Sequence, residues 1–285
     1  MSKMRIISSP QEMQTQALAW GKAGVKVGFV PTMGYLHEGH LSLIDLIREQ
    51  SDQLIVSIFV NPTQFGVGED LEKYPRDMER DLALCESRKV DLVFAPSIED
   101  IYPPDASTFV GEEMVSTSLC GQTRPTHFKG VTTICAKLFN LCRPQWVALG
   151  QKDAQQVVVI KRMIRDLHLP IEVVIGPTLR EPDGLAMSSR NTYLNERQRK
   201  DALLINQSLL AGESLVKEKG VRNVDRVKAE VMTVLREGSF LRVNYAEVVN
   251  RETMELENEI EPGRSMLVVA AWVDSIRLID NRLLG

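Results

Sequence analysis

The run Leu54-Ile55-Val56-Ser57-Ile58-Phe59-Val60 is apolar throughout except for one small hydroxyl. Such a run, rich in β-branched residues and without polar alternation, reads as a strand that must be covered on both faces. The surrounding sequence supplies the cover. Residues 25–30 predict an earlier strand, followed by a loop and a helix through Leu41, Leu43, Ile44 and Ile47. Residues 74–89 predict a helix and 91–96 a strand. The series continues with a helix over 128–142, a strand over 146–150, a helix over 153–167 and a strand over 171–175. Strand and helix in this order predict an α/β fold with a doubly wound parallel sheet and right-handed crossovers. Its ligand site is expected in the loops beyond the carboxyl ends of the strands.

The pattern changes after Gly176-Pro177. A turn-rich segment to Asn191 leads to helices near 195–218 and 223–237, then to β-like runs at 242–249, 266–273 and 276–279. This predicts a smaller C-terminal α+β domain over 178–285, beside a larger domain over 1–177. A length of 285 residues suits that division.

Charge and cysteine usage narrow the function classes. The formal net charge is -4 with 25% charged residues, and no segment builds the basic face that phosphate contacts require, so nucleic acid is not an expected partner. No apolar run approaches the roughly 20 residues that cross a bilayer. The first residues carry no signal-peptide pattern, so a cytoplasmic protein is expected. The four cysteines, Cys85, Cys120, Cys135 and Cys142, contain no Cys-x-x-Cys pair, which argues against a structural zinc or a redox motif. Cys135 and Cys142 lie in an apolar helical pattern and are expected in a core as reduced thiols.

The strongest chemical signal is PTMGYLHEGH at 31–40, directly after the first of these strands. His37 is placed at the mouth of a helix and His40 one turn further on the same face. Gly39 removes a side chain where phosphate approaches, and the helix N-terminus adds positive potential. Two imidazoles there can donate to phosphate oxygens as charge builds up at phosphorus. The plainer alternative is that His37 caps the helix and His40 packs against the sheet. A protein-ligated metal is not expected, because Glu38 points off the histidine face and no third ligand stands nearby.

Three further loops carry polar groups. Asn61 and Gln64, after the strand that Pro62 stops, offer neutral amides suited to a hydroxy acid; a simple turn explains the segment equally well. In Gly150-Gln151-Lys152-Asp153, Lys152 is a point charge for phosphate and Asp153 either caps the next helix or meets ribose hydroxyls. Gln155 and Gln156 follow on that helix. Ser188, Ser189 and Arg190 form a candidate anion clamp at the domain junction, against the alternative of a serine-rich turn. Arg124 to Gly130 is another cationic turn that can help to hold an acidic substrate.

Together the stretches PTMGYLHEGH, VSIFVNPTQF, DLEKYPRD, DLVFAPS, RPTHFKGVTTI, KLFN, GQKDAQQ, DGLAMSSRNTYL and VAAWVDSIRLIDN resemble the pantothenate synthetase (pantoate–β-alanine ligase, AMP-forming) family over nearly the whole chain. The histidine motif with Met-Ser-Ser-Arg indicates only the wider superfamily of nucleotidyltransferases and class I aminoacyl-tRNA synthetases; NPTQF with KDAQQ narrows it. The resemblance implies a Rossmann-like domain that binds ATP and pantoate, a smaller domain that covers the site, and a cytoplasmic homodimer. It implies that the carboxylate of pantoate attacks the α-phosphorus of Mg-ATP to give pantoyl adenylate and pyrophosphate, and that β-alanine then displaces AMP to form pantothenate. By position it implies ATP contacts from Met33, Gly34, Tyr35, Leu36, His37, Glu38, Gly39 and His40, and from Gly150, Gln151, Lys152 and Asp153. Leu179 and Met187 are then expected near adenine, with Ser188, Ser189 and Arg190 on the phosphates. Gln64 and Gln156 match the pantoate amides, with Gln64 also touching β-alanine, and His40 matches the family's proton donor beside His37 and Lys152. Mg²⁺ is expected on the ATP phosphates and not on protein ligands. Gln151 departs from the family, which commonly carries Glu there.

Two rival enzymes and one non-catalytic reading stay in view. A nucleotidyltransferase acting on a phosphate acceptor needs cationic groups where Gln64 and Gln156 stand. A tRNA synthetase needs an anticodon-binding domain and a basic surface. A nucleotide-binding module without catalysis has no need to keep His37, His40, Lys152 and the Ser188–Arg190 group together.

Overall fold

The computed structural model describes residues 3–285. The chain separates into two compact units: one holds the residues up to Thr117 with Gly121–Gln151 and Val159–Pro177, and the other holds Ser118–Cys120, Lys152–Val158 and Thr178–Gly285. Two stretches from within residues 1–177 thus group with the C-terminal unit.

The first unit opens with strand β1 (Arg5–Ile7) and helix α1 (Pro10–Lys22), neither of which the sequence pattern predicts. The reason is physical: β1 is three residues long, and α1 buries only Pro10, Met13 and Ala17, too narrow a stripe to stand out. Ser9 caps α1 through its side chain, and Pro10 occupies the first turn, where a missing N–H costs nothing. Then follow in chain order β2 (Val27–Thr32), α2 (Glu38–Arg48), β3 (Gln53–Ile58), α3 (Met78–Ser87), β4 (Leu92–Phe94), α4 (Ile98–Ile101), α5 (Cys120–Thr123), α6 (His127–Cys142), β5 (Trp146–Gly150), α7 (Ala154–Asp166) and β6 (Glu172–Gly176), with Cys120 of α5 and residues 154–158 of α7 grouping with the second unit. The expected helix over 74–89 starts late, because Asp77 takes the cap by accepting from the Arg80 N–H. Strand β2 runs on through Pro31, which the sequence places in the loop.

All the pairings of the large sheet are parallel, in the order β1-β4-β3-β2-β5-β6. Between β3 and α2 the core holds Val30, Leu36, Ile44, Ile47, Leu54 and Val56, each fully buried. Each such side chain contributes about 1.5–3 kcal/mol over the exposed state, so the apolar run at β3 and the helical stripe of α2 hold each other in place.

Strand order decides where a ligand can sit. From β2 the chain builds outward through β3 and β4 on one side, and through β5 and β6 on the other. The direction reverses between β2 and β5, which pair through Gly28 with Trp146 and Phe29 with Val147. Doubly wound sheets bind ligands at such a point, in the loops leaving the carboxyl ends of the two strands. Those loops are 33–37 and the turn that starts at Gln151.

The second unit builds on helices α8 (Glu196–Lys217) and α9 (Val224–Leu235) against an antiparallel sheet of β7 (Leu241–Asn250), β8 (Ser265–Val273) and β9 (Ile276–Leu283). A reciprocal cap starts α8: Asn195 accepts from Gln198 N–H while the Gln198 side chain accepts from Asn195 N–H. Ile205, Leu209, Val227, Val231, Leu235, Leu267 and Val269 make its core. Strand β9 continues beyond the expected 276–279, through Asp280 and Asn281, which are polar yet buried.

Candidate active site

The loop after β2 is shaped by a carboxylate from elsewhere in the unit. Gly34 has φ +81°, and a Cβ there would lie 3.0 Å from Ile58 Cγ2 and 3.1 Å from Asp81 Oδ2. Tyr35 follows with φ 49°. Asp81, 1% exposed, accepts the main-chain N–H groups of Tyr35 and Leu36 at 2.7 Å each. Burial pushes the Asp81 carboxyl up, against the pull of those two N–H groups and of Arg80. The Arg80 guanidinium also lies over the Tyr35 ring, 5.0 Å from its centre. Thr32 finishes the turn by donating to the Ser57 carbonyl and accepting from Gly34 N–H.

The histidines close the start of α2. His37 is its N-cap: Nδ1 accepts the Gly39 N–H at 3.1 Å, and His40 Nδ1 accepts the His37 N–H at 3.3 Å. A ring nitrogen that accepts carries no proton, so each neutral imidazole bears its hydrogen on Nε2. The rings lie against each other at a tilt of 37°, centres 4.1 Å apart. His37 therefore does cap the helix, as the plainer reading held, and the cap itself selects the Nε2–H donor form. Glu38 is exposed and its carboxylate meets Arg88 Nη2 at 3.0 Å.

Gln64 sits in the short turn Pro62–Gln64 beyond β3 and is held at four points. Asn61 Nδ2 donates to its Oε1 at 3.0 Å, and its own Nε2 donates to Met33 Sδ at 3.2 Å. Its main-chain carbonyl meets Arg124 Nη2 at 3.2 Å and His127 Nδ1 at 2.9 Å. Asn61 is 1% exposed, and its amide is committed within the protein, to Gln64, Gly130, Thr63 and Tyr102. It orients Gln64 rather than offering itself to a ligand. Arg124 likewise binds Glu69 through Nε at 2.6 Å. Burial pushes Glu69 up, but the Arg124 hydrogen bond and charge bring it below the usual carboxylate range. Helix α6 approaches this turn backbone to backbone: a Cβ on Gly130 would stand 2.4 Å from the Thr63 carbonyl oxygen.

In the second unit, residues 179–187 form a small hairpin. Met187 N–H donates to Leu179 carbonyl at 3.0 Å, Arg180 bridges Ala186, and Glu181 N–H donates to Leu185 carbonyl. The two residues expected near adenine, Leu179 and Met187, are thereby neighbours. Ser188 caps the 3-10 turn Ser189–Tyr193 by accepting from Arg190 N–H, and Ser189 is 7% exposed. Asn191 pins the segment to Glu181 at 2.6 Å and to the Ala186 carbonyl at 3.0 Å. Lys152 and Ser188 line one small cavity together with Leu185, Ala186 and Asp280. Gly150 ends β5, and Gln151, Lys152 and Asp153 form a single 3-10 turn into α7. On α7, Gln155 is buried and clamps Cys120 N–H and Ser118 carbonyl, while Gln156 is half-buried.

Among the described residues no group of three or more His, Cys, Asp or Glu is arranged to hold a metal ion, and both Asp81 oxygens are taken by main-chain N–H groups. Sequence reasoning missed Asp81, Gly130, Tyr102 and Asp280. Each acts across a long stretch of chain, so no local spacing signals it. Only Gly130 carried a trace, as a glycine inside a helical pattern.

Relatives agree with this architecture. The family model described as pantoate-beta-alanine ligase matches residues 5–283. A pantothenate synthetase of Thermotoga petrophila is 49% identical over 282 residues, covering 99% of this chain and 100% of the relative. One of Thermotoga neapolitana is 50% identical over the same span. Among solved structures, a pantothenate synthetase of Thermus thermophilus superposes with TM-score 0.91 at 42% identity, covering 98% of this chain and 99% of that one. A Francisella tularensis pantoate-beta-alanine ligase, described as complexed with beta-gamma ATP and beta-alanine, gives TM-score 0.82 at 32% identity, covering 99% and 98%. No helix among the described residues is long and apolar enough to cross a membrane. With the strand order, the capped histidine pair and the full-length match in agreement, the chain belongs to the pantoate–β-alanine ligase family, enzymes that join pantoate to β-alanine.

Proposed function

We propose that the chain condenses pantoate with β-alanine at the expense of ATP, through pantoyl adenylate, releasing pyrophosphate and AMP. The observation that carries this reading is the His37–His40 cap at the N-terminus of α2, beside the sheet's reversal point, with both rings in the Nε2–H form. Neutral donors at a helix N-terminus are suited to the charge that develops on a triphosphate during displacement. Support also comes from the relative whose structure is described as complexed with beta-gamma ATP and beta-alanine.

In this reading Met33 through His40 and Gly150 through Asp153 take the nucleotide, with Leu179 and Met187 at adenine. Lys152, Ser188, Ser189 and Arg190 meet the phosphates. Gln64 and Gln156 bind pantoate, and Gln64 then meets β-alanine. His40 serves as the proton donor. Carboxylate and ammonium do not condense readily in water, and adenylation makes the carbonyl a better electrophile. Exclusion of water then protects the mixed anhydride. No covalent protein nucleophile is needed. Mg²⁺ accompanies the triphosphate as part of the substrate, and the chain works as a cytoplasmic homodimer. Gln151 stands where the family commonly has Glu, and with Lys152 and Asp153 retained beside it the reading expects a small effect.

The test is product analysis with labelled ATP. AMP formation that requires both pantoate and β-alanine, with pantoate alone supporting exchange of pyrophosphate into ATP, is the expected result. AMP formation with either acid missing, or transfer of a whole nucleotide onto a phosphate acceptor, overturns it.

A further inference from the structure

Two consecutive polar residues of β9, Asp280 and Asn281, are 4% and 7% exposed. They pair across the sheet with Val269 and Val268. Side chains alternate along a strand, so the pair reaches two different segments. The Asp280 carboxylate grips Arg180 at two points, Nη1 to Oδ2 at 2.6 Å and Nη2 to Oδ1 at 3.0 Å. The same Nη1 donates to the Gly184 carbonyl at 3.2 Å, which ties the grip to the tip of the 179–187 hairpin. Asn281 Nδ2 donates to the main-chain carbonyl of Lys152 at 2.9 Å. The two are joined as well, since Asn281 N–H donates to Asp280 Oδ1 at 2.8 Å.

A buried ion pair adds little net stability, because desolvation offsets most of the attraction; what a two-point Arg–carboxylate contact supplies is direction. The direction here is informative. One arm holds the hairpin that carries Leu179 and Met187 and leads into Ser188–Arg190, and the other holds the backbone from which Lys152 projects. Asp280 also lines the small cavity shared by Lys152 and Ser188.

We infer that Asp280 and Asn281 are positioning residues for adenylation: one strand pair sets the lysine and the hairpin in mutual register, so that cationic, hydroxyl and apolar groups address one nucleotide. This rests on the proposed assignment of Lys152 and of residues 179–190 to ATP. Misplacement of a reacting group by about an ångström costs up to roughly 10²-fold, so the effect of losing one tie is measurable.

The test uses the full chain and pantoate-dependent pyrophosphate exchange, with KM determined separately for ATP and pantoate. Asn281→Leu keeps the side-chain size and removes the donor. It is expected to lower kcat/KM for ATP about tenfold or more while the KM for pantoate stays within twofold. Asn281→Asp, which keeps the shape and is also unable to donate, covers the case in which the leucine variant does not fold, and is expected to behave likewise. Because Asn281 acts through Lys152, either substitution should add nothing in a Lys152→Ala background. Equal losses in both backgrounds, or an unchanged kcat/KM for ATP, overturn the assignment while the proposed function stands. Lys152→Ala at the wild-type rate overturns the underlying site reading and the inference with it. Asp280→Asn should raise the KM for ATP and spare that for pantoate; no change in either removes Asp280 from the assignment.

Discussion

His40 Nδ1 accepts the main-chain N–H of His37 at 3.3 Å, and that one bond ties the helix cap to the ring proposed as proton donor. It holds the ring beside its partner, and it leaves the proton on Nε2, where a donor to phosphate needs it. Replacing His40 by Ala removes the proposed donor but keeps the helix capped by His37. The expected outcome is a loss of adenylation of about 10²-fold or more, on the scale of a lost transition-state donor. Pyrophosphate exchange measures the rate, and an unchanged melting temperature shows that the fold survives. Near wild-type exchange would refute the role.

Asp81 is the brace behind this loop. Asp81→Leu leaves the N–H groups of Tyr35 and Leu36 buried without acceptors, at a cost of about 1–3 kcal/mol each. The expected result is a lower urea midpoint together with a raised KM for ATP, with Asp81→Asn intermediate. A wild-type midpoint in the leucine variant would show that another group takes over the two N–H donors.

Gly130 tests the turn that carries Gln64. A methyl group there meets main-chain atoms of Thr63 and Gln64, which cannot rotate away. Gly130→Ala should cost about 1–3 kcal/mol as an overpacked contact and should weaken pantoate more than ATP. Kinetics with each substrate varied in turn would expose the asymmetry; equal effects on both would contradict it.

The Glu69–Arg124 pair predicts an acid limb in stability. Burial pushes Glu69 up, but the Arg124 hydrogen bond and charge, with the Gly66 N–H and the His127 charge, together hold it below the usual carboxylate range in the folded chain. A depressed folded value means that the pair stabilises the fold above the ordinary carboxylate range and loses that contribution as pH falls through the lowered value. Thermal melts from pH 6 down to pH 3 should therefore fall less steeply for Glu69→Gln than for the wild-type chain. Parallel curves would assign the acid limb to other groups.

Buried thiols should be silent in the native state. Burial pushes Cys135 up to about 12 and Cys142 higher still, and burial with the nearby Asp81 charge pushes Cys85 to about 12. A thiolate is the reactive form, so a disulfide reagent at pH 8 should leave these three unmodified until denaturant is added. Rapid native labelling at any of them, located by peptide mapping, would contradict the placement.

What could be read from the linear chain follows from local physics. The apolar run at β3 demands two covered faces, the stripe Leu41, Leu43, Ile44, Ile47 demands a helix, and His37-x-x-His40 falls at a helix start because of its spacing. Strand β9 runs on past the expected 276–279, through the polar residues Asp280 and Asn281. Strand β1 and helix α1 escaped because one is too short and the other too polar for periodicity to show.

The amino-acid order alone determined the α/β alternation, the change of pattern after Pro177 and the loops where polar groups gather, because hydrophobic period and turn chemistry act over a few residues. Tertiary structure alone decided how those groups are held. Asp81 reaches Tyr35 across 46 positions, Asn281 reaches Lys152 across 129, and Asn61 spends its amide on Gln64, Tyr102 and Gly130. Such contacts exist only once the strands are ordered, since folding, and not sequence spacing, brings distant buried donors to the acceptors they require.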